Sequence, residues 1–340
     1  MRVCVPMAVG KRGTAGTNRR IAFTLMSETI KKILYVANYL LEKDIAGRSF
    51  QVFSDDIFLV SYPKSGNTWT RFLLGNLMNP HEGITFANVE RKVPDIYAES
   101  KLTLKKTPRP RVIKSHEGFD PRYRRVIYIV RYPRDVALSA YHYDRKERNI
   151  PDNFPLDTYI TTRIMKTDGY YGTWGEHAGS WLVNEKNILQ ISHLNDGFMG
   201  AVGSSGDNVM SWLGARGHDR EFLLVRYEDL LEDTEHEMTR ISEFLGLAQI
   251  SPEQIAKAVQ LSTADSMRKL EAAQSHQWVT TKQSRKDIPF VRSAKSGQWQ
   301  QSLPSSSVAE IESAWGPVMK LLGYPLRSEM EKVSSSAQKN

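Results

Sequence analysis

Residues 56–69 read DIFLVSYPKSGNTW, which combines a short apolar run, a glycine-containing turn and the start of a helical pattern. The apolar, β-branched run at residues 56–62 is typical of a strand buried on both faces of a parallel sheet. Residues 63–67 predict a turn, and the periodicity from Thr68 to Met78 predicts a helix. A strand, a tight loop and a helix in this order indicate an α/β protein.

The rest of the chain continues this alternation of strands and helices. Further strands are predicted at residues 111–115, 125–130 and 221–225, and further helices at residues 30–43, 136–148, 235–245 and 308–322. The alternation favours a central parallel β-sheet flanked by helices.

Charge is distributed unevenly along the 340 residues. The chain has 46 Lys and Arg against 38 Asp and Glu, a formal charge of +8. Residues 1–27 carry five of these charges and no acid, which leaves +3 on the other 313 residues. A nucleic-acid-binding protein would spread its basic excess over the folded part, so we expect no nucleic-acid partner.

The single cysteine, Cys4, excludes an intramolecular disulfide and a cysteine zinc cluster, and it favours a reducing, cytoplasmic location. No apolar run reaches the roughly 18–20 residues of a membrane-spanning helix, so no membrane partner is expected.

Composition also divides the chain into segments. We expect a flexible basic leader at residues 1–27, a single domain at residues 28–326 and a polar tail at residues 327–340. An organelle transit peptide and an upstream translation start are alternatives for the leader. The Gly- and Ser-rich residues 187–220 predict a long loop or insertion.

The turn at residues 63–67 has the composition of an anion-binding site. Backbone N–H groups of a tight turn converge, the following helix adds its positive end, and Lys64 adds a full charge. The spacing GxxxxGK[ST] of a Walker A loop is absent. An ordinary turn with an exposed lysine is the alternative that this segment alone leaves open.

The segment YPKSGNTW at residues 62–69 resembles the phosphosulfate-binding loop of soluble sulfotransferases, whose sulfuryl donor is 3′-phosphoadenosine 5′-phosphosulfate (PAPS). Three further blocks resemble segments of that family in the same order: KSH at residues 114–116, RYPRDVALSAYHY at residues 131–143 and RYEDL at residues 226–230. The resemblance covers residues 57–230, weakens towards the C-terminus and is absent before about residue 50. It implies a P-loop-like nucleotide-binding architecture.

The resemblance implies a set of donor-binding residues. Lys64, Ser65, Gly66, Asn67 and Thr68 would hold the 5′-phosphate, with Lys64 also neutralising the bridging oxygen as the nucleotide leaves. Trp69 would stack on adenine, although a core aromatic residue is the alternative. Arg131 and Ser139 would clasp the 3′-phosphate from two sides. Tyr227, Arg292 and Ser293 complete the nucleotide-binding set.

The segment at residues 290–299 departs from the family pattern of Arg-Lys-Gly followed by Gly-Asp-Trp. Arg292 matches the phosphate-binding arginine, but Ser293 and Ala294 stand where the pattern has Lys and Gly, and Lys295 is a candidate substitute for that lysine. The family's dimerisation pattern is missing from residues 301–308, so no oligomeric state is predicted.

The same resemblance points to His116 as the general base. His116 follows a predicted strand at the carboxyl edge of the sheet, where α/β proteins place their sites. A neutral imidazole can accept the proton of an attacking alcohol, phenol or amine, and this chemistry needs no metal. Lys114, two residues earlier on the same strand face, would be an electrostatic stabiliser. A lone histidine on the surface or at a cap is the alternative.

We therefore expect a PAPS-dependent sulfotransferase with a small-molecule acceptor. A nucleotide kinase of related fold and an inactive nucleotide-binding protein of the same fold are the alternatives. Several aromatic residues are candidates for the acceptor pocket or for the core: Phe86, Tyr97, Tyr141, Tyr143, Tyr170, Tyr171 and Trp174.

Overall fold

The computed structural model describes residue 37 and residues 39–166, 169–182, 221–247 and 249–330. Within these residues, a single sheet contains the strands β1 (Ile57–Ser61), β2 (Val112–Ser115), β3 (Arg125–Val130) and β4 (Glu221–Arg226). The strand order is β2-β1-β3-β4, and every neighbouring pair is parallel. The predicted α/β fold with a central parallel sheet is thus confirmed.

Helices connect and cover these strands. In chain order they are α1 (Asn67–Met78), α2 (Val89–Lys92), α3 (Lys101–Lys106), α4 (Pro133–Lys146), α5 (Leu156–Tyr159), a π-helical turn (Ile160–Ile164), α6 (Trp174–Leu182), α7 (Tyr227–Glu232), α8 (Thr234–Phe244), α9 (Pro252–Leu261), α10 (Ala264–Gln274), α11 (Trp299–Ser302) and α12 (Ser305–Leu321). None of the described helices is both long and apolar enough to cross a membrane.

The two inner strands, β1 and β3, are mostly apolar because both faces of the sheet are covered there. Alternate residues of a strand point to opposite faces. Phe58 and Tyr128 accordingly enter one core, which α4 and α12 help to build, while Leu59 and Ile127 enter a second core beneath α1 and α8. All five residues of β1 are buried.

Predicted and observed element bounds differ by a few residues. The helix predicted from Thr68 begins at Asn67, and the helix predicted from residue 136 begins at Pro133. Proline is favoured in the first turn because its φ is already helical and its missing N–H would lack a partner there. The leader at residues 1–27, the insertion at residues 187–220, most of the helix predicted at residues 30–43 and most of the tail lie outside the described residues.

The parallel sheet places all four strand ends at one edge. The turn at residues 62–66 follows β1, His116 follows β2, Arg131 follows β3, and Tyr227 follows β4. Four segments that are far apart in the sequence therefore meet at the carboxyl edge, which is where open α/β sheets form their ligand sites.

Candidate active site

A cavity of about 480 Å³ opens at this edge of the sheet. Twelve of the thirteen predicted site residues line it, namely Lys64, Gly66, Asn67, Thr68, Trp69, Lys114, His116, Arg131, Ser139, Tyr227, Arg292 and Ser293. The exception is Ser65, a residue of the loop between β1 and α1 that is fully buried. Its hydroxyl has no hydrogen-bond partner in the described part of the chain.

The loop between β1 and α1 adopts a backbone that few residues tolerate. Lys64 has φ 69° and Gly66 has φ 99°, both in the left-handed region. A Cβ atom at Gly66 would lie 2.4 Å from Cδ2 of Tyr227, so glycine is required both for its conformation and for its size. Gly66 caps α1 without a side-chain hydrogen bond, which leaves N–H groups of the first turn open towards the cavity.

The ammonium of Lys64 lies between two aromatic rings. Its Nζ is 4.0 Å from the ring centre of Tyr143 and 4.7 Å from that of Phe290. Burial, reinforced by the positive charge of Arg131, lowers the pKa of Lys64 to about 7. The lysine is thus half-buried beneath aromatic residues, unlike the exposed lysine of an ordinary turn, and an anion beside it would restore its charge.

Two arginines from distant segments face the same space. The guanidinium of Arg131 lies 4.3 Å from the ring centre of Tyr227, and its Nη1 donates to the carbonyl of Lys64 over 3.2 Å. Its Nε has no partner within the described residues. Arg292 donates from Nη2 to Gln298, and burial together with nearby Arg131 lowers the pKa of Arg292. Buried cations that repel one another are stabilised by a bound anion.

Trp69, in the first turn of α1, and Tyr227, at the start of α7, lie side by side in the cavity wall. Their rings meet edge to face with centroids 5.8 Å apart. The indole Nε1 of Trp69 donates to the carbonyl of Ser262 over 2.9 Å, which fixes the ring while the residue lines the cavity. Trp69 also packs against two hydrophobic cores, so it has structural contacts in addition to its place in the site.

His116 is held in one tautomer. Its Nδ1 lies 2.6 Å from the carbonyl oxygen of Ser61, and because a carbonyl can only accept, Nδ1 carries the proton. The lone pair is therefore on Nε2. Burial, with a contribution from Lys114, lowers the pKa of His116 well below its usual value, which keeps the ring neutral. The hydroxyl of Tyr97 accepts from the backbone N–H of His116 over 3.2 Å, and the two rings are nearly parallel.

Lys114 is paired with a residue that the sequence did not point to. Its Nζ lies 2.8 Å from Oδ2 of Asp95, and both side chains are largely buried at the cavity wall. Asp95 comes from the segment between α2 and α3, which joins β2 through a parallel bridge between the two residues. No motif surrounds Asp95 that would have identified it.

The segment at residues 290–299 crosses the cavity and is tied down by another unpredicted acid. Asp135 accepts from the backbone N–H of Gly297 over 2.6 Å and from that of Trp299 over 3.1 Å. Ala294 has φ 50°, a left-handed conformation that explains why a glycine is suited to this position. Lys295 is exposed, and its carbonyl rather than its ammonium contacts Arg131.

The aromatic candidates divide between the cavity and the core. Tyr97, Tyr143 and Tyr171 line the cavity, and Trp278 and Phe290, which were not among the candidates, line it as well. Phe86, Tyr141 and Trp174 are buried in the cores, while Tyr170 is exposed.

Comparison with known proteins gives consistent matches. A family model described as a sulfotransferase domain matches residues 54–323. The chain is 26% identical over 299 residues to sulfotransferase 1A1 of Bos taurus, covering 83% of this chain and 89% of that protein. It is 25% identical over 312 residues to cytosolic sulfotransferase 1 of Danio rerio, covering 86% and 92%.

Two solved structures share the fold. Mouse sulfotransferase SULT7A1 complexed with PAP has a TM-score of 0.55 at 24% identity, with 78% of this chain and 85% of that chain covered. Retinol dehydratase in complex with androsterone and inactive cofactor PAP has a TM-score of 0.60 at 17% identity, with 84% and 86% covered.

Proposed function

This chain belongs to the sulfotransferase family, and we propose that it moves a sulfuryl group from PAPS to a hydroxyl or amine of a small-molecule acceptor, with His116 as the general base. The observation that carries the proposal is the convergence of a neutral imidazole and a set of phosphate-binding groups on one cavity. We also propose that residues 28–326 form a single sulfotransferase domain.

The chemistry of the donor matches the unsatisfied groups of the site. The 5′-phosphate would be held by Lys64 and the open N–H groups at the start of α1, whereas the hydroxyl of the predicted Ser65 is buried away from the cavity. The 3′-phosphate would be held by Arg131, Ser139 and Arg292, and the free Nε of Arg131 is a donor for it. Mouse SULT7A1 and retinol dehydratase were both solved with PAP, which supports the same donor here.

The transfer step follows from this placement. Nε2 of His116 takes the proton from the acceptor as the acceptor oxygen or nitrogen forms a bond to sulfur. The bond between sulfur and the bridging oxygen of the 5′-phosphate breaks, and 3′-phosphoadenosine 5′-phosphate (PAP) leaves. Lys64 neutralises the charge that develops on that oxygen. Sulfuryl transfer, like phosphoryl transfer, depends mainly on positioning and electrostatic stabilisation.

The walls beside His116 support a small acceptor with apolar character. Tyr97 and Tyr171 flank the imidazole, with ring centroids 6.2 and 5.7 Å from it. Trp278 and Phe290 line the same cavity. An aromatic enclosure of about 480 Å³ has the size of a small-molecule site, and PAPS would share this volume with its acceptor.

The donor can be tested by thermal unfolding in the presence of nucleotides. We expect PAP to raise the melting temperature, because a ligand at about 100 times its Kd stabilises the folded state by roughly 2.7 kcal/mol. Adenosine 5′-monophosphate lacks only the 3′-phosphate and is the matched control, which should stabilise far less. EDTA should have no effect, since no metal is proposed. Equal stabilisation by PAP and by ATP would contradict the donor assignment and favour a kinase.

Transfer itself can be tested with ³⁵S-labelled PAPS and a panel of phenols, alcohols and amines. Labelled sulfate ester or sulfamate should form together with PAP. If PAP binds but no acceptor in a broad panel reacts, the inactive nucleotide-binding alternative gains support.

A further inference from the structure

Lys114 and Asp95 form a largely buried ion pair at the wall of the cavity that His116 also lines. Nζ of Lys114 lies 2.8 Å from Oδ2 of Asp95 and 4.8 Å from the ring centre of Tyr97. Only 9% of the Lys114 side chain and 13% of the Asp95 side chain are exposed. Both residues face the cavity in which transfer is proposed to occur.

The position of Asp95 is fixed by several contacts. Its Oδ1 accepts from the backbone N–H of Tyr97 over 2.9 Å, and its own N–H donates to Oε2 of Glu90 over 3.2 Å. The backbone N–H of Lys114 donates to the carbonyl of Pro94 over 2.8 Å. Both oxygens of Asp95 are therefore engaged within the protein, and the carboxylate is presented to Lys114 rather than to a ligand.

The surroundings of Lys114 would otherwise favour its neutral form. Burial lowers the pKa of Lys114, and the nearby guanidinium of Arg71 acts in the same direction, whereas Asp95 and, more weakly, Glu90 raise it. His116 is neutral, and Tyr97 contributes a ring face. Asp95 is thus the principal charge that opposes the loss of the proton.

We propose that Asp95 is a positioning residue for sulfuryl transfer, which holds Lys114 protonated and aims its ammonium into the cavity beside His116. An ammonium has three N–H groups, and Asp95 takes one of them. In this proposal, the remaining N–H groups would serve the transferring group in the cavity that Lys114 lines. The role in transfer rests on the proposed function, whereas the effect of Asp95 on the charge of Lys114 does not.

The charge of Lys114 can be measured without any substrate. Protein labelled with ¹³C at the lysine Cε would be titrated by NMR, with the Lys114 signal assigned by its loss in Lys114→Arg. In Asp95→Asn, which keeps the size of the side chain and the acceptor for Tyr97 N–H, the Lys114 titration should move down by about one to three pH units. An unchanged titration would overturn the proposal whatever the acceptor is.

The consequence for catalysis can be read from the pH profile of transfer to an aliphatic alcohol, which does not itself titrate in this range. The basic limb of kcat should move to lower pH in Asp95→Asn while the affinity for PAP changes little. Lys114→Arg in the Asp95→Asn background should remove that limb, because arginine keeps its charge. A basic limb that lies at the same pH in Asp95→Asn as in the wild type would refute the role in transfer.

These outcomes separate the inference from the proposed function. If PAP fails to bind the wild-type protein, the donor assignment is wrong, yet the Lys114 titration still decides whether Asp95 controls its charge. If Asp95→Asn does not fold, Asp95→Ser retains a hydroxyl acceptor for Tyr97 N–H without the negative charge, and the same downward shift is expected.

Discussion

The carbonyl oxygen of Ser61 lies 2.6 Å from Nδ1 of His116, so the last residue of the central strand determines which nitrogen of the imidazole is free. A backbone carbonyl cannot change its protonation state, and β1 is held between two parallel neighbours. The orientation of the proposed base is therefore built into the sheet rather than into a loop.

Replacing this imidazole should separate transfer from binding. We expect His116→Ala to reduce sulfuryl transfer by about 10²–10⁴-fold, the usual contribution of a general base, while the Kd for PAP changes little. Lys64→Ala is the contrasting variant and should weaken both, because Lys64 meets the phosphate before and during transfer. Calorimetry with PAP beside a transfer assay would distinguish them. Near wild-type turnover by His116→Ala would remove the general-base assignment.

Donor binding should consume a proton near Lys64. In the protein without nucleotide, burial lowers the pKa of Lys64 to about 7. The phosphates of a bound nucleotide would raise this pKa. At pH 8, binding of the nucleotide should therefore be accompanied by uptake of a proton. The affinity for PAP should accordingly fall as the pH rises above about 7. Calorimetry in two buffers with different ionisation enthalpies measures the uptake directly. In Lys64→Arg the uptake should vanish, and a proton uptake that survives this substitution would assign it to another group.

The carboxylate of Asp135 should control recognition of the 3′-phosphate. Asp135→Asn loses an acceptor for the segment that carries Arg292, so we expect the Kd for PAP to rise by about 10-fold or more, the equivalent of a lost charge-assisted hydrogen bond. The Kd for adenosine 5′-monophosphate should change less. Asp287→Asn is the control, because this carboxylate is exposed and forms an ion pair with Arg285. Equal losses for both nucleotides would point to a general loss of structure.

Ala294 offers a stabilising substitution. A left-handed backbone costs a non-glycine residue about 1–2 kcal/mol, and Ala294→Gly would remove this cost. Against this, glycine raises the entropy of the unfolded chain, which destabilises the folded state by roughly 0.4–1 kcal/mol. On balance, Ala294→Gly should raise the free energy of unfolding by about 0.5–1 kcal/mol. The same change at Ala272, exposed within α10, should instead lower it by about 1 kcal/mol. Urea denaturation of both variants provides the measurement. A destabilised Ala294→Gly would show that the strain is absent.

Part of the site was predictable because its residues stand at strand ends, in blocks that resemble sulfotransferase segments. Lys64, His116 and Arg131 each follow an apolar run, and parallel strands bring such positions to one edge whatever the tertiary detail. At these positions the local sequence indicates the strand, and the resemblance indicates the role of the residue that follows it.

Asp95, Asp135 and Trp278 could not be found in this way. Asp95 reaches Lys114 through a single bridge from a segment without regular periodicity, and Trp278 lies in an irregular stretch after α10. Asp135 sits in a recognised block, but its partner is a loop more than 160 residues later. Contacts of this kind depend on how distant segments pack, which no local pattern encodes.

The two sides of the cavity are carried by different parts of the molecule. Lys64, Arg131 and Tyr227 follow paired strands of the sheet, whereas the aromatic residues beside His116, Tyr97 and Tyr171, come from connecting segments. Substitutions in those segments leave the register of the sheet untouched. Under the proposed function, acceptor preference can therefore change through substitutions in these segments while the strand ends that carry Lys64 and Arg131 keep their positions.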